Sequence, residues 1–315
     1  MVGMRPQRVE IQPGTVMNFW VPTEKSKGSS STTVQPNDKR PKKAVVFLHG
    51  FAADGIFNWQ FQVLSLANKY AVYVPDFLFF GDSITDSTDR SPSFQAACVA
   101  KGLSKLGVEK CTLVGLSYGG MVGFKMAQLF PDLVESMVVS CSVMALTESV
   151  SSESLRRIGF KSWSDCLLPE TVEGVKAMFD VGTYKLPNVP DWIYKQFLEV
   201  MFDNRKEKKE LLEALIVSDN DFIVPHYPQR VALLWGQNDK IFNMETASNL
   251  KTQLGERATL ESIEKGGHLV PLERPCVYNN NLKKILASLL EEGALPHNMI
   301  YIQQTWRASS PRVVS

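Results

Sequence analysis

Gly115-Leu116-Ser117-Tyr118-Gly119 constrains the fold of this chain more than any other stretch. It lies between an apolar run, 111–114, and a helix-like run, 121–130. That order predicts strand, sharp turn, helix, with the serine at the apex and its hydroxyl clear of the sheet. Glycines flank the serine because side chains there would collide where the strand and helix meet.

The surrounding chain predicts a sheet suited to such a turn. Apolar runs at 44–48, 70–74, 111–114, 137–140 and 231–235, and a weaker one at 258–262, show no polar alternation. Runs of this kind suit parallel strands covered on both faces. Helical patterns fall between them at 57–68, 94–106, 118–130 and 244–254. A last one follows Pro275, where Leu282, Ile285, Leu286, Leu289 and Leu290 recur at three- and four-residue spacing. Strand alternating with helix predicts an α/β fold, a mostly parallel central sheet with helices on both faces. Two short strands, 9–12 and 16–21, predict a hairpin around Pro13-Gly14.

Segment 143–228 breaks the alternation. It is amphipathic and rich in aromatics, among them Phe160, Trp163, Phe179, Trp192, Tyr194, Phe197 and Phe202, and predicts a helical cap inserted between two strands. The expected organisation is a core in two parts, 1–142 and 229–292, a cap at 143–228 and a C-terminal tail at 293–315. Residues 24–43 are rich in Ser, Thr, Lys and Pro and predict a flexible, solvated loop.

A formal net charge of +1 gives no reason to expect a nucleic-acid partner. Lys39, Arg40, Lys42 and Lys43 also lack interleaved aromatics. Five cysteines without metal-ligand spacing predict reduced thiols and a cytoplasmic chain. No window approaches the ~18 apolar residues of a membrane span, and no secretory signal is expected at the N-terminus. No phosphate-binding glycine loop is present, so neither a cofactor nor a metal is expected. Oligomeric state is left open.

Ser117 is a weak nucleophile and needs a base. Of the four histidines, His49 precedes Gly50 at a strand end, His226 closes the insertion and His297 lies in the tail. His268, in Gly266-Gly267-His268 just after the last predicted strand, is the candidate base. Asp239 follows the 231–235 run and is the candidate acid that orients it; Asp219 and Asp221 are rivals. The order Ser117, Asp239, His268 is nucleophile, acid, base. The N–H groups of Phe51 and Tyr118 are candidate donors to an oxyanion. Asp76 follows another strand and reads as a turn-stabilising carboxylate. Phe179, Trp192, Phe197 and Met201 are candidates for an apolar substrate pocket. Ile193, Phe197, Val200 and Met201 mark the helix side expected to be buried.

These residues resemble the α/β-hydrolase fold superfamily over roughly 9–292. His49-Gly50, Gly115 to Gly119, Gly236-Gln237-Asn238-Asp239 and Gly267-His268 stand where that superfamily has its motifs. The wording from Leu113 to Ala127 is similar to plant members near the monoacylglycerol lipase and meta-cleavage-product hydrolase branches. The resemblance implies a serine hydrolase with a helical lid after the sixth core strand, acting on a small apolar ester or acyl substrate. A serine at the turn argues against epoxide hydrolases and haloalkane dehalogenases, whose nucleophile is aspartate. Carbon–carbon bond cleavage on the same triad is an alternative, as is a hydrolase-like plant hormone receptor. The loop at 24–43 and the tail depart from a minimal member.

Overall fold

The computed structural model describes residues 3–23 and 41–291. Residues 24–40 of the expected loop and the whole expected tail, 293–315, lie outside the described residues. The strands are β1 (Met4–Gln12), β2 (Thr15–Pro22), β3 (Ala44–Leu48), β4 (Ala71–Pro75), β5 (Ile84–Thr85), β6 (Cys111–Leu116), β7 (Val134–Ser140), β8 (Leu146–Thr147), β9 (Ile216–Val217), β10 (Arg230–Gly236) and β11 (Ala258–Ile263). The helices outside the insertion are α1 (Gly55–Leu66), α2 (Pro92–Lys105) and α3 (Tyr118–Leu129), then α9 (Met244–Leu254), α10 (Val270–Glu273) and α11 (Pro275–Glu291). Between β7 and β10 run α4 (Glu148–Ile158), α5 (Trp163–Leu167), α6 (Val172–Gly182), α7 (Asp191–Met201) and α8 (Arg205–Ala214).

The main sheet runs β1-β2-β4-β3-β6-β7-β10-β11, with β5 paired to β2. The pairs from β4 through β11 are parallel, β2 runs antiparallel to β4, and β1 in turn pairs antiparallel with β2. The hairpin begins earlier than the apolar pattern predicts. Arg5, Gln7 and Arg8 interrupt the alternation, yet main-chain pairing of Met4 with Pro22 persists. As the edge strand, β1 also tolerates Pro6.

Every residue of β6 is buried, as a central parallel strand requires. Two helix pairs cover the sheet. α2 and α3 pack together, α2 on β1 and β2 and α3 on β3, β6 and β7. α1 and α11 pack together, α1 on β3 and β4 and α11 on β7 and β10. Trp59, Trp235, Phe47 and Phe124 are fully buried between these layers. Each large apolar side chain so buried contributes on the order of 1.5–3 kcal/mol.

The insertion leaves and rejoins the sheet at one place. β8 pairs β9 in parallel, Leu146 with Ile216 and Thr147 with Val217, which closes the base of the α4–α8 group. Thr147 also caps α4, its hydroxyl accepting from the Val150 N–H. The carboxyl ends of β3, β6, β10 and β11 all face this base, and the candidate residues follow those ends.

Candidate active site

Ser117 sits between β6 and α3 with φ 52° and ψ −117°, a strained conformation for a residue with a side chain. Packing holds it there. The Ser117 N–H donates to the Ser140 carbonyl at 3.0 Å, and its own carbonyl accepts from Gly120 and Met121. The Ser142 hydroxyl donates to that same carbonyl at 2.6 Å. A Cβ at Gly119 would collide with the Leu48 and His49 carbonyl oxygens, so β3 approaches this turn only because residue 119 is glycine.

Asp239 and His268 come together from two loops locked to each other. The Gln237 N–H donates to the Ile263 carbonyl at 2.9 Å, and the Asn238 N–H to the Gly266 carbonyl at 2.8 Å. Gly236 packs directly on the Gly267 carbonyl, where a Cβ would clash. Asp239 is buried, its Oδ1 accepting from the N–H groups of Ile241 (2.8 Å) and Phe242 (3.0 Å). Its Oδ2 lies 2.9 Å from His268 Nδ1. With one carboxylate oxygen committed to two amides, the other is fixed in direction. It selects the tautomer with the proton on Nδ1, leaving Nε2 free to accept. Phe242 flanks the imidazole, ring centroids 5.7 Å apart.

Ser117 and His268 line one cavity together with Phe51 and Tyr118. Ser117 Oγ has no hydrogen bond among the described residues. The N–H groups of Phe51 and Tyr118 likewise have no partner among the described residues. Tyr118 opens α3, where the helix leaves its first N–H groups unpaired.

The loop that carries Phe51 is pinned by buried polar groups. Asn58 Oδ1 accepts from the Gly50 N–H at 2.8 Å, and Asp76 Oδ1 accepts from the Gly55 N–H at 2.8 Å. Asp76 Oδ2 also accepts from Asn18 Nδ2 at 2.8 Å. Burial pushes the Asp76 carboxyl up to about 7. His49 is fully buried, with Nδ1 2.7 Å from the Gly50 carbonyl and Nε2 accepting from the Phe77 N–H at 3.0 Å. Burial pushes its imidazole down to about 3, so it stays neutral and braces the loop.

The cavity at Ser117 has a volume of about 60 Å³. A second, of about 50 Å³, adjoins it and shares Ala52, Leu167, Ile241, His268 and Leu269 as wall. The insertion walls both. Trp163, Leu167, Leu212 and Leu215 line the first, and Cys166, Met178, Phe179 and Phe197 the second. Asn58 also lines the second, and its Nδ2 is buried without a partner.

Of the four expected pocket residues, Phe179 and Phe197 line the second cavity, with ring centroids 5.0 Å apart. Trp192 does not: it is 60% exposed on the outer side of α7. Met201 is half-buried and lines neither cavity. The buried side of α7 runs through Tyr194 and Phe197, three residues apart, which turns Trp192 outward. Ile193 and Val200, expected inside, are exposed. The rival carboxylates sit elsewhere: Asp219 binds the Ser149 hydroxyl and N–H at the surface, and Asp221 is exposed.

Sequence reasoning missed Cys141, which follows β7 between the strands carrying Ser117 and Asp239. Among the described residues, Cys141, Asp239 and His268 form a group whose potential metal-ligating atoms lie within 4.8 Å of one another. Burial, and then the Asp239 charge, hold the thiol well above its ordinary range. A protonated thiol and a carboxylate already engaged on both oxygens suit a hydrogen-bonded floor better than a metal.

A family model described as the alpha/beta hydrolase fold matches residues 43–167. Epoxide hydrolase 3 of Xenopus tropicalis is 24% identical over 284 residues, covering 84% of this chain and 75% of that protein. A 2-hydroxy-6-oxononadienedioate/2-hydroxy-6-oxononatrienedioate hydrolase of Escherichia coli O139:H28 is 24% identical over 260 residues, covering 78% and 87%. Among solved structures, a thermophilic esterase from Thermogutta terrifontis superposes with a TM-score of 0.68 at 20% identity, covering 90% of this chain and 99% of that one. No helix among the described residues is long and apolar enough to cross a membrane. Strand order, the strained serine turn and these likenesses together give the chain the alpha/beta hydrolase fold.

Proposed function

We propose that the chain is a serine hydrolase that cleaves a carboxylic ester or related acyl bond of a small apolar substrate. The observation that carries this reading is Ser117, held at positive φ on the wall it shares with a histidine already bonded to a buried aspartate. Ser117 Oγ attacks the carbonyl carbon while His268 Nε2 takes its proton. The oxygen, now negative, is held by the N–H groups of Phe51 and Tyr118, each such donor worth about 3–4 kcal/mol in the transition state. Asp239 stabilises the imidazolium. The proton then passes to the leaving alcohol, and water repeats the sequence on the acyl-serine. The α4–α8 group serves as the cap and substrate wall, and the five free thiols favour a cytoplasmic setting.

The epoxide hydrolase likeness does not carry over to this chemistry. A serine opening an epoxide would form an ether, with no carbonyl for water to attack. Carbon–carbon bond hydrolysis of an oxygen-rich acyl substrate is the second reading. The unpartnered Asn58 amide on the second cavity favours it, and the Escherichia coli relative is named for such a substrate.

Fluorophosphonate labelling tests the nucleophile: wild type should label and Ser117→Ala should not. Labelling of another residue, or none, would remove the basis of the reading. Parallel assays with p-nitrophenyl esters and with 2-hydroxy-6-oxo dienoates then separate the two reactions. Ligand-dependent partner binding with negligible turnover on both panels would point to a receptor instead.

A further inference from the structure

We propose that Glu273 is a positioning residue that ties the cap to the histidine loop and thereby sets the depth of the second cavity. The idea rests on the reading of His268 as the base and goes beyond it to substrate length. Glu273 ends α10, five residues after His268. Its carboxylate accepts three main-chain N–H groups. Oε2 takes Gly267 at 2.8 Å and Tyr184 at 3.0 Å, and Oε1 takes Lys185 at 2.7 Å. One donor belongs to the histidine loop, and the other two belong to the strand-like exit of α6.

A direct main-chain bond reinforces the junction, the Leu269 N–H donating to the Gly182 carbonyl at 2.7 Å. The backbones touch so closely that a Cβ on Gly267 would strike Thr183 and Tyr184. α6 is also the helix that presents Met178 and Phe179 to the second cavity, and Leu269 lines both cavities. One carboxylate therefore fixes the histidine loop and the cap wall to each other, although it lines neither cavity. An ionised carboxylate is matched to this task because it offers only acceptors. A glutamine would turn an N–H₂ toward at least one of the three donors.

The test compares Glu273→Gln with wild type in the full chain. Hydrogen exchange reads the tether without reference to activity. Amides 184 and 185 should exchange about tenfold faster in the variant, while the amides of β6 stay unchanged. The kcat/KM values on p-nitrophenyl esters from acetyl to decanoyl read the wall. A released α6 should raise the decanoyl-to-acetyl ratio about fivefold, mainly through KM. Lys185→Pro deletes one donor from the opposite side and should move the ratio in the same direction. Unchanged exchange at 184 and 185, or an equal loss on every ester, would overturn the proposal and leave Glu273 as support for the histidine loop alone. If wild type hydrolyses no ester, the ester reading fails by itself and the exchange result still decides the tether.

Discussion

The floor of the site and its roof are built from different forces. On the floor, Asp239, His49, Asp76 and Asn58 each commit at least one polar atom to a named main-chain group. Hydrogen bonds are directional, so the floor specifies atom positions. The roof is apolar at the cavity, built from Trp163, Leu167, Phe179, Phe197 and Leu212. Apolar contact is non-directional and specifies volume rather than angle. The roof's polar ties lie at its rim: Arg90 with Glu210 at 2.8 Å, Lys240 with the Asp180 carbonyl, and Arg157 with the carbonyls of Lys240 and Ile241. The floor should thus govern rate and the roof selectivity, each in its own currency of measurement.

Substitutions can break that division. The largest effect belongs to Ser117→Ala, which should lower kcat by about 10⁶ with an unchanged melting temperature. Residual turnover within tenfold of wild type would move the nucleophile elsewhere. Asp239→Asn should cost about 10⁴ in kcat, because an amide no longer selects the Nδ1–H tautomer. If the loss instead fell on KM, the floor would be doing the work assigned to the roof.

Acid stability offers a separate handle on the floor, where two buried titratable groups have pKa values shifted in opposite directions. His49 has its pKa lowered from 6.5 to about 3, so its contribution is complete above pH 6.5 and is lost as pH falls toward 3. Protonated, its Nε2 would face the Phe77 N–H donor to donor. Asp76 runs the other way: raised from 3.8 to about 7, its contribution is complete below pH 3.8 and is lost as pH rises through 7. In wild type the two oppose each other between pH 4 and 6.5. His49→Gln should unmask Asp76, so the melting temperature of the variant relative to wild type should climb as pH drops from 7 to 4. A difference that stays constant with pH would show that His49 does not titrate in this way.

In the roof, Phe197→Ala should cost roughly 3 kcal/mol of stability, at the low end for a buried aromatic because it faces a cavity. It should also shift the preferred ester chain length while leaving kcat on acetyl esters within a few-fold. Trp192→Ala should do neither, with stability within about 0.5 kcal/mol of wild type by thermal melting. A chain-length shift from Trp192→Ala would mean that α7 presents its outer side to substrate.

The floor was the more legible half in the sequence. Ser117, Asp239 and His268 each follow an apolar run, and a parallel sheet brings the ends of its strands to one edge whatever the loops between them contain. The roof was only half legible. Ile193 and Val200 are as apolar as Phe197, so composition alone could not fix which side of α7 faces inward. That phase is set by where α6 and α1 meet the helix, through Phe179 and Phe57 against Phe197. Cys141 and Glu273 left no signal, because what they do depends on neighbours far away in sequence. The early start of β1 was hidden for a different reason, main-chain pairing that needs no apolar pattern.

The short β8–β9 ladder bears on how the molecule is assembled. β7 and β10 are neighbours, Ser136 pairing with Arg230, so the entire insertion is one closed excursion from the sheet. The entropy of closing such an excursion grows only with the logarithm of its length, about 0.6 kcal/mol for each doubling. Lengthening or exchanging the roof is therefore a mild demand on the sheet as long as the two ends still meet at Leu146 and Ile216. Synthesis order adds an asymmetry. Ser117 and both unpaired amides emerge before the excursion, and Asp239 and His268 after it. On the proposed mechanism, a nascent chain would carry the Ser117 hydroxyl without His268 until β10 and β11 dock, so its reactivity would wait for the second part of the sheet.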